Sequence, residues 1–155
     1  MEMNTYIIAR ALHIFAIVLW IGGVAFVTTV LIPAIRNTQS PENRLSLFEI
    51  LEGKFSFQAK LTTVIAGASG FYMMHVLNAW SNLHWWIILM IVVWALFTLV
   101  LFVLEPLFLH KWFHQQAEQN NERTFMVLQI MHMILLSVSL LAVLAGVAGA
   151  HGLFY

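Results

Sequence analysis

Four stretches of this chain are apolar for long enough to cross a lipid bilayer, and no other feature restricts its fold as severely. They run from about Tyr6 to Ala34, Phe57 to Trp80, Leu83 to His110 and Phe125 to Ala150. A bilayer core asks for about 20 predominantly apolar residues per helix. A helix satisfies its own backbone polar groups at that depth, where water cannot. Composition agrees, with 61% hydrophobic and 9% charged residues and a mean hydropathy of +0.87, against roughly 45–50% and 25% in soluble domains. The first run is too long for the apolar region of a signal peptide and has no small-residue cleavage site close behind it, so it reads as a retained helix. Four spans use most of the 155 residues. The expected architecture is all-α: a single-domain integral membrane four-helix bundle over residues 1–155.

Charge orients these spans. Loop one, residues 36–58, holds Arg36, Arg44 and Lys54, with Lys60 just after it, and loop three holds Lys111 and Arg123. Both loops therefore read as cytoplasmic. Both termini and the short Ser81-Asn82 turn are then outside, on the periplasmic side of a bacterial inner membrane, and Arg10 is the one basic residue there. Within loop one, Leu45, Leu47, Phe48, Ile50 and Leu51 interleave with Arg44, Glu49 and Glu52 at near-helical spacing. That pattern suggests a helical extension or an interfacial helix. Zero net charge argues against nucleic acid as a partner. The absence of cysteine excludes disulfides, thiolate metal sites, iron–sulfur clusters and covalently attached haem. The partner that remains obvious is the bilayer. Close helix contacts are expected where small residues recur, at Gly22-Gly23, Ala66/Gly70 and Ala142/Gly146/Ala150, because packing in lipid depends on close backbone approach. The same faces suit contacts in a homo-oligomer. Trp80, Trp85 and Trp86 read as an interfacial aromatic belt.

Seven histidines carry most of the remaining chemistry. At about 1.5 Å per residue, His13 falls about 10 Å inside the start of helix one and His75 about 8 Å inside the end of helix two. Two neutral imidazoles at one level on neighbouring helices are what the axial positions of a b-type haem require. Arg10, three residues before His13 on the same face, is placed to meet a haem propionate. The same pair also suits copper, and Met73 and Met74 beside His75 offer thioethers that favour Cu(I). His84 and His151 sit at the outer boundary as weaker ligands. On the cytoplasmic side, His132, flanked by Met131 and Met133 with Gln129 one turn away, admits a second haem, a quinone pocket, a proton path or a satisfied core histidine. Glu105, next to Pro106, reads as a buried carboxyl or an interfacial one. His110 and His114 lie near the end of helix three.

The segment Ala11-Leu12-His13-Ile14-Phe15-Ala16-Ile17-Val18-Leu19-Trp20-Ile21-Gly22-Gly23 resembles the first helix of small membrane proteins of the copper-resistance D and haem-containing membrane protoporphyrinogen oxidase type. The resemblance implies haem or copper at His13 and carries over to His13, Trp20, Gly22 and Gly23. Leu83-His84-Trp85-Trp86 is similar to the oxidase family's motif at the head of helix three, with Trp86 where that family has a functional lysine. This departure counts against oxidase activity. The expectation is a membrane cytochrome b with one haem near the outer face, exchanging electrons with a quinone or a redox partner subunit. Copper handling, a protoporphyrinogen oxidase-like enzyme and a cofactor-free accessory subunit are the alternatives.

Overall fold

The computed structural model describes residues 2–153. The side chains of residues 2, 108–110, 113, 114 and 116–119, His110 and His114 among them, lie outside the description. The described chain is almost entirely helical, without a strand. Its elements are α1 (Glu2–Phe26), a π-helical segment (Val27–Leu31), α2 (Ile32–Thr38), α3 (Pro41–Val76), a single 3-10 turn (Ala79–Ser81), α4 (Trp85–Leu99), a second π-helical segment (Val100–Leu109) and α5 (His110–Ala150). Three stretches are long and apolar enough to cross a membrane: Met3–Thr38, Trp85–Leu107 and Asn120–Ala150. The second sequence-predicted span, within α3, is not one of them. Its inward face is small and polar, with Ser56, Thr62, Thr63, Ala66, Gly67 and Ser69 all buried.

Each departure from a straight α-helix has a local cause. Pro33 lacks an N–H and crowds the preceding turn, and α1 widens just before it. Here the Ile32 N–H bonds the Val27 carbonyl five residues back, and the next donor in that register would be the missing one of Pro33. The Thr28 carbonyl left over accepts instead from Gln129 Nε2 of α5 at 2.8 Å. The second wide segment surrounds Pro106. In α5 the backbone leaves helical geometry at Asn120 (φ −157°, ψ 91°). The Asn120 side-chain oxygen accepts the Arg123 N–H at 3.0 Å, an N-cap that begins the final membrane stretch.

Loop one is shorter than expected. The amphipathic segment predicted there is the start of α3, which runs unbroken from Pro41, so only Gln39 and Ser40 separate it from α2. At its other end α3 stops at Val76, before the Trp80 boundary read from hydropathy, because Asn78 adopts a left-handed conformation (φ 51°). Asparagine tolerates that conformation better than most residues.

The packed helices have two distinct ends. α1 packs most extensively along α3, and α4 along α5. Near the termini, glycines receive large side chains: Trp94 lies on Gly67, Trp86 on Gly149 and Met90 on Gly146. The Trp94 indole also donates to the Thr63 carbonyl at 3.0 Å. Of the predicted small-residue contacts, Gly23 meets Phe55 and Gly70 meets His13, whereas Gly22 faces open space. At the loop end, Val27, Ile32, Ile35, Leu45, Phe48, Phe125 and Leu128 form a separate core cluster. There Glu122 bonds both Arg36 (Nε, 2.7 Å) and Arg44 (Nη1, 2.7 Å), tying α2 and α3 to the start of the last span.

Candidate functional site

His13 is half-buried on α1 against the small-residue face of α3. Its Nδ1 donates to the Ala66 carbonyl at 2.9 Å, with Ser69 Oγ at 3.2 Å. A carbonyl only accepts, so this bond places the ring hydrogen on Nδ1 and leaves the lone pair of a neutral imidazole on Nε2. Gly70 makes the approach feasible: a Cβ there would come within 3.2 Å of His13 Cε1. Orientation of an imidazole by a backbone carbonyl at one nitrogen, with the other available, is the usual state of a metal-ligating histidine. It is also a satisfied arrangement in its own right.

The other candidates are placed differently. His75 is exposed in the last turn of α3. Ser69, which faces His13, is six residues earlier, so His75 lies about 9 Å nearer the terminal end at 1.5 Å per residue. Met74 beside it is buried. Arg10 is exposed, one turn from His13 towards that end. His84 stacks on Trp86 (ring centroids 6.1 Å apart) at the start of α4. His151 is exposed, and its Nδ1 donates to the Val147 carbonyl at 2.7 Å. Trp20 is buried and meets Phe97 edge-to-face at 4.9 Å. Among the described residues, no group of three or more histidine, cysteine or acidic side chains is arranged to hold a metal.

A cavity of about 90 Å³ lies in the loop half of the molecule, away from His13 and His75. Its walls are mostly apolar, with Phe48, Phe55, Phe97 and Phe125 prominent, and its polar groups come from Trp20, Glu49, Glu52, Glu105, Thr124 and His132. Two π-helical segments flank this half, and wide turns of this kind are frequent at functional sites. Glu105, on the second of them, accepts from Ser56 Oγ at 2.5 Å and from Lys60 Nζ at 3.0 Å. Burial pushes the Glu52 carboxyl up to about 7, reinforced by the charges of Glu105 and Glu49 and opposed by Lys60. His132 Nδ1 donates to the Leu128 carbonyl at 2.9 Å, and its ring meets Phe48 edge-to-face. The buried Trp20 Nε1–H has no acceptor.

Periodicity alone puts Glu52 on the polar side of an amphipathic loop helix and gives Lys60 no role beyond that of an orienting charge. Both belong to this cavity. The available signal is three glutamates and a lysine bordering membrane spans, since ionisable groups there are costly unless paired or put to use. Compared with known protein families, curated proteins and solved structures, the chain matches none.

Proposed function

We propose that this chain is a four-helix membrane protein with both termini on the outer face, holding one b-type haem near that face and passing electrons through it. The observation that carries the reading is His13, a half-buried imidazole whose Nδ1 is committed to the Ala66 carbonyl, which leaves the lone pair on Nε2. The four-span topology draws support from α3, which exposes Phe57, Leu61 and Val64 and so continues the outward apolar surface of the other helices. From residue 57 to residue 76 it rises about 30 Å, the thickness of a bilayer core.

The haem would supply a one-electron iron couple, tuned by its ligands and the surrounding polarity. His13 would hold the iron, Ala66 and Ser69 would fix the ring that does so, and Gly70 keeps α3 from displacing it. Arg10 would meet a propionate at the aqueous boundary, where a guanidinium pairs readily with a carboxylate. His75 would be the second protein group to hold the iron. Its place nearer the end makes it the less constrained of the two, with no hydrogen bond from α1 to orient it.

The deciding experiment is an oxidised and dithionite-reduced visible spectrum of the detergent-purified protein, with iron and copper measured on the same sample. The expected result is a Soret band with iron in the wild type and loss of both in His13→Ala. Loss in His75→Ala as well would indicate a bis-histidine iron; a retained band with a high-spin spectrum would leave His13 as the sole protein ligand. Copper without iron would move the site to copper binding. Absence of either metal in well-loaded membranes would overturn the proposal.

A further inference from the structure

The loop-half cavity belongs to no part of the reading above, and its size limits what it can take. An apolar cavity of roughly 150 Å³ admits a single benzene ring. At about 90 Å³, this space is too small for a quinone head group or a second porphyrin, and it has room for roughly three water molecules at about 30 Å³ each. Water requires polar partners, and four elements bring them to the walls. α1 contributes the Trp20 indole N–H, buried with no acceptor. α3 contributes Glu49 and Glu52, and α5 contributes Thr124 and His132. The π-helical segment after α4 contributes Glu105, already bonded to Ser56 and Lys60.

We infer that this cavity is a hydrated proton-binding site in which the Glu52 carboxyl takes up and releases a proton through enclosed water. The ligand is a proton and not a metal cation, because among the described residues no group of three or more histidine or acidic side chains is arranged to hold one. Glu52 is the carboxyl to hold it. Glu105 is held by the Lys60 ammonium and the Ser56 hydroxyl, and its charge favours a proton on Glu52. The groups around Glu52 are Glu49 and Lys60 on its own helix, Glu105 after α4 and His132 on α5; α1 brings the indole and no titrating group to the cavity. The His132 Nε2 lone pair is a second acceptor on the same wall, as its Nδ1–H is committed to Leu128.

Infrared spectroscopy of the detergent-purified full chain tests this without reference to any cofactor, and its failure leaves the haem reading standing. The carbonyl stretch of a protonated carboxylic acid is expected to titrate with a midpoint about 7 and to vanish in Glu52→Gln. Glu105→Gln should lower that midpoint by removing a neighbouring negative charge, and Lys60→Met should raise it. Transfer to deuterated buffer should shift the band within the mixing time, since enclosed water exchanges the carboxyl proton. A band that survives Glu52→Gln would assign the proton elsewhere and overturn the inference. So would a band that resists deuteration for hours, or the absence of any carboxyl titrating between pH 5 and 9 while Glu52→Gln retains the wild-type helical circular dichroism.

Discussion

The terminal half and the loop half of the molecule both seat rings on glycines, but only the loop half keeps a described cavity. Near the termini, large rings lie directly on glycines, as Trp94 does on Gly67 and Trp86 on Gly149. In the loop half Phe55 likewise lies on Gly23, but two prolines widen their helices, and a cavity with mostly apolar walls and a few polar groups remains. Without a hydrophobic drive between helices in lipid, close approach has to supply the cohesion. Helices that pack tightly at one end can therefore tolerate an open and charged interior at the other.

The contrast can be broken by enlarging a small residue on each side. Gly67→Leu is expected to abolish the folded protein, because even a Cβ there lies 2.6 Å from a Trp94 ring that is locked to Thr63. Gly67→Ala should cost about 1–3 kcal/mol, the range for overpacking a filled core, read as a lower melting temperature in detergent. Ala59→Val, on the cavity wall, should cost less than about 1 kcal/mol, since its added methyl groups have space to enter. Equal losses at the two sites would mean that the cavity does not relieve packing.

Next in size is the pH dependence of the loop half. Glu52 binds its proton more tightly folded, with a value near 7, than it would unfolded, near 4.3. Between those values the folded state holds the extra proton, so stability falls as pH rises through that window and the penalty is complete above about 7. Glu52→Gln should remove a decline on the order of 2 kcal/mol between pH 5 and pH 8, after allowance for partial exposure. Thermal melts across that range check it. A wild type that instead gains stability on raising the pH would show that other carboxylates dominate.

A third test concerns the widened turn before Pro33. Gln129→Leu leaves the Thr28 carbonyl without its donor and should cost about 1–3 kcal/mol, as for a buried acceptor deprived of its partner. The smallest effect is expected at the aqueous edge. Arg44→Ala removes one of two arginines on the exposed Glu122, and its change in melting temperature should lie within experimental scatter, because exposed ion pairs contribute little. A marked loss there would make the arginine clamp a structural element of the fold.

His13 is legible in the sequence, because a histidine well inside an apolar run stands out from its surroundings. Its level relative to His75 is not legible in the same way. Depth along a span counts from helix ends read by hydropathy, and Asn78 ends α3 before Trp80, which carries His75 to the last turn. Glu52 is concealed for a related reason: periodicity places it on a helix outside the spans and gives no sign that Glu105, 53 residues later, returns beside it. Gly67 and Gly149 are inconspicuous because a glycine in a membrane helix looks alike whether a ring or lipid covers it.

Local sequence suffices for the helical class, the apolar stretches and the residue types available for chemistry. Each follows from composition along the chain and from the requirement that a backbone in lipid bond to itself. The packing of the helices was needed to settle which small residues receive which rings, that the Thr28 carbonyl is satisfied by Gln129, and that Trp20, Glu52, Glu105 and His132 border one cavity. Those outcomes depend on the register between helices distant in sequence, which side-chain volume and hydrogen-bond demand set only once the helices have packed.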